Sequence, residues 1–200
     1  MCVLIIYRRY RSKDFSKTAI RKVLSQDPFW LTFPVEEIDA RLGYFQKTFS
    51  LAGNEVRQLA GMKADLITWP GIPGQIRYNI FTLREMCGFS QEELKQILMT
   101  APEVFKKRRE QTLQNTFNFL HNDIGFSHQL LVKFASCLDV EVDPIKPRLE
   151  YLKKLGRAQF DPSKPNYVSP ESIAQLSDLE FCEKVAKSSV HLYNDFLMTI

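Results

Sequence analysis

Gly88-Phe89-Ser90 recurs as Gly125-Phe126-Ser127, 37 residues further along the chain, and the fold is decided by that recurrence. Each copy is preceded by an apolar stretch with helical character, Ile80-Phe81-Thr82-Leu83 before the first and Thr116-Phe117-Asn118-Phe119-Leu120 before the second. Phe15-Ser16 lies 74 residues before Phe89, two periods of 37. Leu51-Ala52 falls between them, 36 after Phe15 and 38 before Phe89. Self-similarity at a fixed period of this size is the mark of a repeat architecture.

The residues after each copy recur as well. Pro28 stands 13 residues after Phe15, and Pro102 stands 13 after Phe89. Ala64 takes the equivalent place after Leu51; in the looser fourth copy the nearest match is Ala135, one turn early. Apolar pairs come next: Trp30-Leu31, Leu66-Ile67 and Val104-Phe105. Glycine after an apolar helix suits a left-handed C-terminal position. Serine two residues on suits an N-cap, and Ser90 has Glu93 three residues later, a capping box. Leu94, Ile97 and Leu98, like Ile20, Val23 and Leu24, have helical spacing. Proline then stops the helix, because the residue before it is pushed out of the α region. A second long helix comes next, with Pro34 in its first turn and Leu42, Phe45 and Phe49 on one face. Each unit thus reads as helix, short turn-like helix, helix, and neither long helix buries its apolar stripe without a neighbouring unit. The expected fold is all-α, a superhelical solenoid with units at about 14–50, 51–88, 89–125 and 126–168. A partial unit at 169–200, in which Ser177 precedes Leu179 and Phe181, completes it. Residues 1–13 read as the tail of an earlier unit.

Composition excludes several classes. With 44% hydrophobic residues and 25% charged residues the 200-residue chain has enough apolar content for a packed array, and no apolar run is long enough to span a membrane. Cys2, Cys87, Cys137 and Cys182 are dispersed without a Cys-x-x-Cys pair, so buried thiols are expected rather than disulfides or zinc. His121 and His128 flank a glycine and do not share a helix face as metal ligands would, and His191 stands apart. No phosphate-binding glycine loop, nucleophile elbow or paired catalytic acids can be found. Glu36-Glu37 and Glu92-Glu93 suit first helical turns. No catalytic residue, metal or cofactor is therefore expected. Residues 1–22 hold seven basic side chains against Asp14 alone, a mitochondrial-presequence composition. The repeat phase already claims Phe15 onward, so the expectation is an incomplete amino terminus lacking its presequence.

The turn proline with its apolar pair and the 36–38 period resemble the mTERF family of mitochondrial transcription termination factors. The resemblance covers essentially the whole chain. Leu155-Gly156-Arg157-Ala158-Gln159-Phe160-Asp161-Pro162-Ser163-Lys164-Pro165-Asn166-Tyr167-Val168 is similar to a stretch of the family's third subgroup, as are Arg41-Leu42-Gly43-Tyr44-Phe45-Gln46-Lys47 and Phe181-Cys182-Glu183. Ala64, Ala135 and Ser177 depart from the family, which often has proline there. The resemblance implies a half-doughnut superhelix of three-helix units with a basic concave face that binds nucleic acid. It further implies action in the mitochondrial matrix, in repressing transcription of the organelle genome and in biogenesis of the large ribosomal subunit.

The net charge is +4, and the cations are unevenly placed. Lys106-Lys107-Arg108-Arg109 forms a run; Lys146, Arg148, Lys153, Lys154 and Arg157 form a cluster; Arg77 and Arg84 lie on an intervening unit. Arg41 and Arg148 occupy matching places, each followed by leucine and then, three residues on, by Tyr44 or Tyr151. One cation per unit would lay a stripe able to follow a phosphate backbone, binding double-stranded DNA or structured RNA with weak sequence preference. Phe45, Phe81, Phe117, Phe119 and Tyr151 are expected to pack between units rather than to stack on bases. Trp30 reads as core, and Trp69, beside Pro70-Gly71-Ile72-Pro73-Gly74, as partly exposed. The chain is expected to act as a monomer; a second reading stays open, a helical scaffold that recruits ribosome-assembly or RNA-modifying proteins.

Overall fold

The computed structural model describes residues 14–106 and 110–200. The expected helix tail at 1–13 and the cations Lys107, Arg108 and Arg109 lie outside the described residues. Among the described residues there is no strand, and the chain is all-α.

The same triplet recurs four times. The first contains α1 (Lys17–Gln26), a 3-10 turn (Pro28–Leu31) and α2 (Val35–Thr48). The second contains α3 (Gly53–Met62), the short α4 (Ala64–Thr68) and α5 (Gly74–Phe81), the last running into a π-helical turn at Thr82–Met86. The third contains α6 (Gln91–Thr100), a 3-10 turn (Pro102–Lys106) and α7 (Glu110–Asn118), again running into a π turn, Phe119–Asp123. The fourth contains α8 (His128–Lys133), a 3-10 turn (Ala135–Asp139) and α9 (Ile145–Lys154). An extended segment leads to α10 (Pro170–Ala174), α11 (Asp178–Glu180) with a π turn (Phe181–Ala186), and α12 (Val190–Leu197). The helices divide into two compact units, residues 14–81 with Ser90–Lys106, and Thr82–Phe89 with residues 110–200.

The junctions that lead into α1, α3, α6, α8 and α12 obey one rule. Asp14, Ser50, Gly88, Gly125 and Lys187 all have positive φ, from 49° to 93°, and each stands two residues before the N-cap of the next helix. The amides of Phe89, Phe126 and Ser188 return to Leu83, Leu120 and Cys182 at 2.9–3.0 Å, closing the preceding helix. Ser16, Ser90 and Ser127 then accept from the amides of Ala19, Glu93 and Leu130. Ala52 has no hydroxyl, and Glu55 supplies half of the box by accepting from the Ala52 amide at 2.7 Å. Pro34 serves as the N-cap of α2 and not as part of its first turn.

A branched side chain incurs a left-handed penalty at such a junction. Gly125→Val places one at φ 93° and should cost about 1–2 kcal/mol. Thermal denaturation followed by circular dichroism reads this, and an unchanged midpoint would refute the junction's role.

Packing matches the apolar stripes. Ile20, Val23, Phe45, Phe49, Leu94, Ile97 and Leu98 are all buried. Phe117, Phe119 and Tyr151 are buried as well, but Phe81 is 56% exposed. Phe81 ends α5 just before its π turn, at the place Asn118 holds in α7, and that place is not buried in either triplet. Trp69 is also corrected: it is buried, because the chain turns back over its indole. A Cβ at Gly71 would lie 2.5 Å from that ring. Cys87, Cys137 and Cys182 are free buried thiols, and burial pushes the first two up to about 12. No helix is long and apolar enough to cross a membrane, and no metal-holding cluster of three residues exists, among the described residues.

Candidate nucleic-acid interface

A short helix with an apolar pair buries its last carbonyls, and each needs a donor. The long helix of the preceding triplet supplies one from the same place each time. Arg41 Nη1 donates to the Ile67 and Trp69 carbonyls, both at 2.9 Å, at the end of α4. Asn79 Nδ2 donates to the Phe105 carbonyl at 2.9 Å. Thr116 Oγ1 donates to the Val140 carbonyl at 2.8 Å. Arg148 Nη1 donates to the Ile173 carbonyl at 2.9 Å, in α10. Four residues on from these donors stand Phe45, Leu83, Leu120 and Leu152, each 0% exposed. The clasp is therefore a repeat position filled by Arg, Asn, Thr and Arg.

This geometry changes the meaning of the matched arginines. The remaining donors of Arg41 go to Glu37, with Nη2–Oε1 at 2.8 Å, and its guanidinium lies 4.8 Å from the Phe33 ring centroid. Arg148 is 6% exposed; its Nε and Nη2 both donate to Asp178 Oδ1, at 3.2 and 2.7 Å, and it sits over Phe181. Both arginines are committed inside the protein. At the equivalent places the intervening triplets have no cation at all, so a phosphate stripe through this position is not what the side chains build.

The other sequence candidates sort by exposure. Lys106 Nζ meets Asp65 Oδ2 at 2.5 Å and lies 5.8 Å from the Trp69 ring. Arg157 is exposed and donates to the Ala186 carbonyl. Arg77 is exposed and lies against Tyr44, whose phenol is raised by burial and pulled back by Thr48 and by Arg77. Arg84 is exposed beside Glu85. Lys146, Lys153 and Lys154 are exposed on α9; the first pairs loosely with Asp143 at 3.7 Å and the second with Glu150 at 2.8 Å. Lys154 Nζ lies 5.0 Å from the Phe196 ring centroid.

A second cationic register escaped the sequence reading. Five residues past the N-caps of α1, α3 and α6 stand Arg21, Arg57 and Lys95, and six past those of α1 and α8 stand Lys22 and Lys133. Gln58 and Gln96 fill the sixth position in between. No carboxylate occupies either position in any of the four first helices. Arg21, Lys22 and Lys133 are exposed, while Arg57 and Lys95 are half-buried. Lys95 Nζ reaches Glu55 Oε1 of the neighbouring first helix at 3.0 Å. The Ala52 amide and then Lys95 hold the Glu55 carboxyl below its ordinary value. Phasing the helices by their caps rather than by their aromatic neighbours would have found this register.

His121 and His128 come together, with ring centroids 4.9 Å apart, in a cluster with Phe89 and Phe117. His121 Nδ1 lies 2.7 Å from the Phe126 carbonyl and donates to it. This is packing at a junction, where the left-handed Gly125 folds one helix back over the last.

Comparison with known proteins agrees with the helical triplets: the mTERF family model matches residues 7–181. The chain belongs to the mTERF family. Members of this family are nucleic-acid-binding regulators and not enzymes. The chain is 36% identical over 189 residues to a Drosophila melanogaster protein named "Transcription termination factor 3, mitochondrial", covering 94% of this chain and 52% of that protein. A Rattus norvegicus protein of the same name is 36% identical over 190 residues, 95% of this chain and 46% of its own length. The chain thus spans about half the length of each of these mTERF relatives.

Proposed function

We propose that this mTERF chain binds double-stranded DNA or structured RNA through exposed and half-exposed cations and regulates mitochondrial gene expression. The names of its relatives support the mitochondrial setting and a role in transcription. Repression of transcription and support of large-subunit ribosome assembly are part of the proposal, on the subgroup resemblance. The observation that carries it is the carboxylate-free register on the first helices, Arg21, Lys22, Arg57, Lys95 and Lys133. Exposed Arg77 of the first unit and exposed Arg84, Lys146, Lys153 and Lys154 of the second belong to the same proposal, as do Lys106, Lys107, Arg108 and Arg109. Cations repeated once per helix triplet meet successive phosphates and read no bases, so affinity depends on charge and not on sequence.

Fluorescence anisotropy of a labelled duplex across a salt series tests this. Arg21→Glu with Arg57→Glu should weaken binding about tenfold and lower the slope of log affinity against log salt by about 2, roughly 0.9 for each phosphate lost. An unchanged slope would remove the first helices from the interface, and absence of duplex and RNA binding at low salt would end the reading. The scaffold alternative rests on Leu192, Met198 and Ile200, which are 59%, 87% and 68% exposed near the end of the chain. Pull-down from mitochondria with and without nuclease separates it from binding bridged by RNA.

A further inference from the structure

The extended segment after α9 does more than connect helices. Together with residues 171–187 it walls a cleft of about 480 Å³, within the size range of small-ligand sites. Arg157, Lys184 and Lys187 line it against the single carboxylate of Glu171. That balance favours an anion. Lys184 is already paired with Glu180 at 2.8 Å, and Arg157 donates to the Ala186 carbonyl. Lys187 has no partner among the described residues. It occupies the left-handed junction, at φ 49°, that glycine fills at positions 88 and 125.

The rest of the lining argues against a bare polyanion. Glu171 would repel one, whereas it accepts hydrogen bonds from a sugar diol. Leu176 and Val185 give an apolar wall, which suits a flat base. Tyr167 and Val168 continue the wall on the side of the extended segment. Asn166, held at φ 59°, adds an amide.

We propose that this cleft binds one ribonucleotide, with its phosphate at Lys187 and Arg157, its ribose hydroxyls at Glu171 and its base against Leu176 and Val185. The nucleotide is either a free mononucleotide or an unpaired nucleotide of an RNA strand. The site uses none of the first-helix cations and does not rest on the backbone-binding reading.

Calorimetric titration of the whole chain with AMP, UMP, dAMP, adenosine, inorganic phosphate, a short oligoribonucleotide and an acidic peptide tests it. A 5′-ribonucleotide should bind saturably and more tightly than nucleoside, phosphate or deoxynucleotide. Lys187→Gly should weaken it about tenfold, the loss of one charge-assisted contact, without lowering the melting temperature, since glycine suits the junction. Glu171→Gln should narrow the difference between AMP and dAMP. Competition by the oligoribonucleotide identifies an unpaired RNA nucleotide as the ligand, and binding of mononucleotides alone identifies a free one. No saturable nucleotide binding, binding unchanged in both variants, or capture of the acidic peptide in place of nucleotide would overturn the proposal. Arg21→Glu with Arg57→Glu should leave AMP binding intact, which separates failure of this site from failure of the duplex surface.

Discussion

Trp30→Ala should melt well below the wild-type chain. The indole is 1% exposed, packed among Phe15, Ile20 and Val23, and its Nε1 donates to the Ala64 carbonyl at 2.9 Å. The substitution removes a large ring from a packed site together with the indole's hydrogen bond to the first carbonyl of α4. Truncations of this kind cost about 3–5 kcal/mol, or roughly 6–20 °C in a chain of this size. Trp30→Phe keeps most of the volume but not the donor, and should cost about 0.5–1.5 kcal/mol, the net worth of one hydrogen bond to a carbonyl that keeps its place in the helical ladder. Thermal denaturation of both variants separates packing from the hydrogen bond. A midpoint for Trp30→Ala within a degree or two of wild type would show that the first two triplets do not depend on this contact.

Arg148→Ala is the second large effect. It strips the Ile173 carbonyl of its donor, removes the bidentate partner of Asp178 and opens the face of Phe181. Asp178 is half-exposed and keeps water, so the loss falls below that of a fully buried pair, at about 2–3 kcal/mol. Arg148→Lys should not restore it, because a single ammonium cannot serve a carbonyl and a carboxylate in one plane. Measured well below the melting temperature, nucleic-acid affinity should stay at the wild-type value. A variant of normal stability with lost binding would return Arg148 to the interface.

These two residues show where the sequence is legible. Trp30 reads as core because it stands just after a turn proline in a helical repeat, and no distant contact is needed to say so. Arg148 reads as a candidate ligand for phosphate because it matches Arg41. The match is real, but its meaning depends on what lies across from the side chain. The partners are carbonyls 25 to 28 residues away in the chain, and a backbone carbonyl leaves no trace in residue identity. Asn79 and Thr116 hold the same position without resembling arginine, so the clasp cannot be found by residue type. The first-helix cations were legible in principle, since their spacing from the caps is a local quantity.

The period, the serine caps, the left-handed glycines at 88 and 125 and the apolar stripes were determined by the sequence alone. Each depends on backbone preferences and burial within a few residues, and these act whatever the neighbours are. Tertiary structure decided the rest: that Trp69 is covered, that Phe81 is not, and that Arg41 and Arg148 turn inward. An ionised side chain goes where its donors find acceptors, and only the packed neighbouring triplet supplies those.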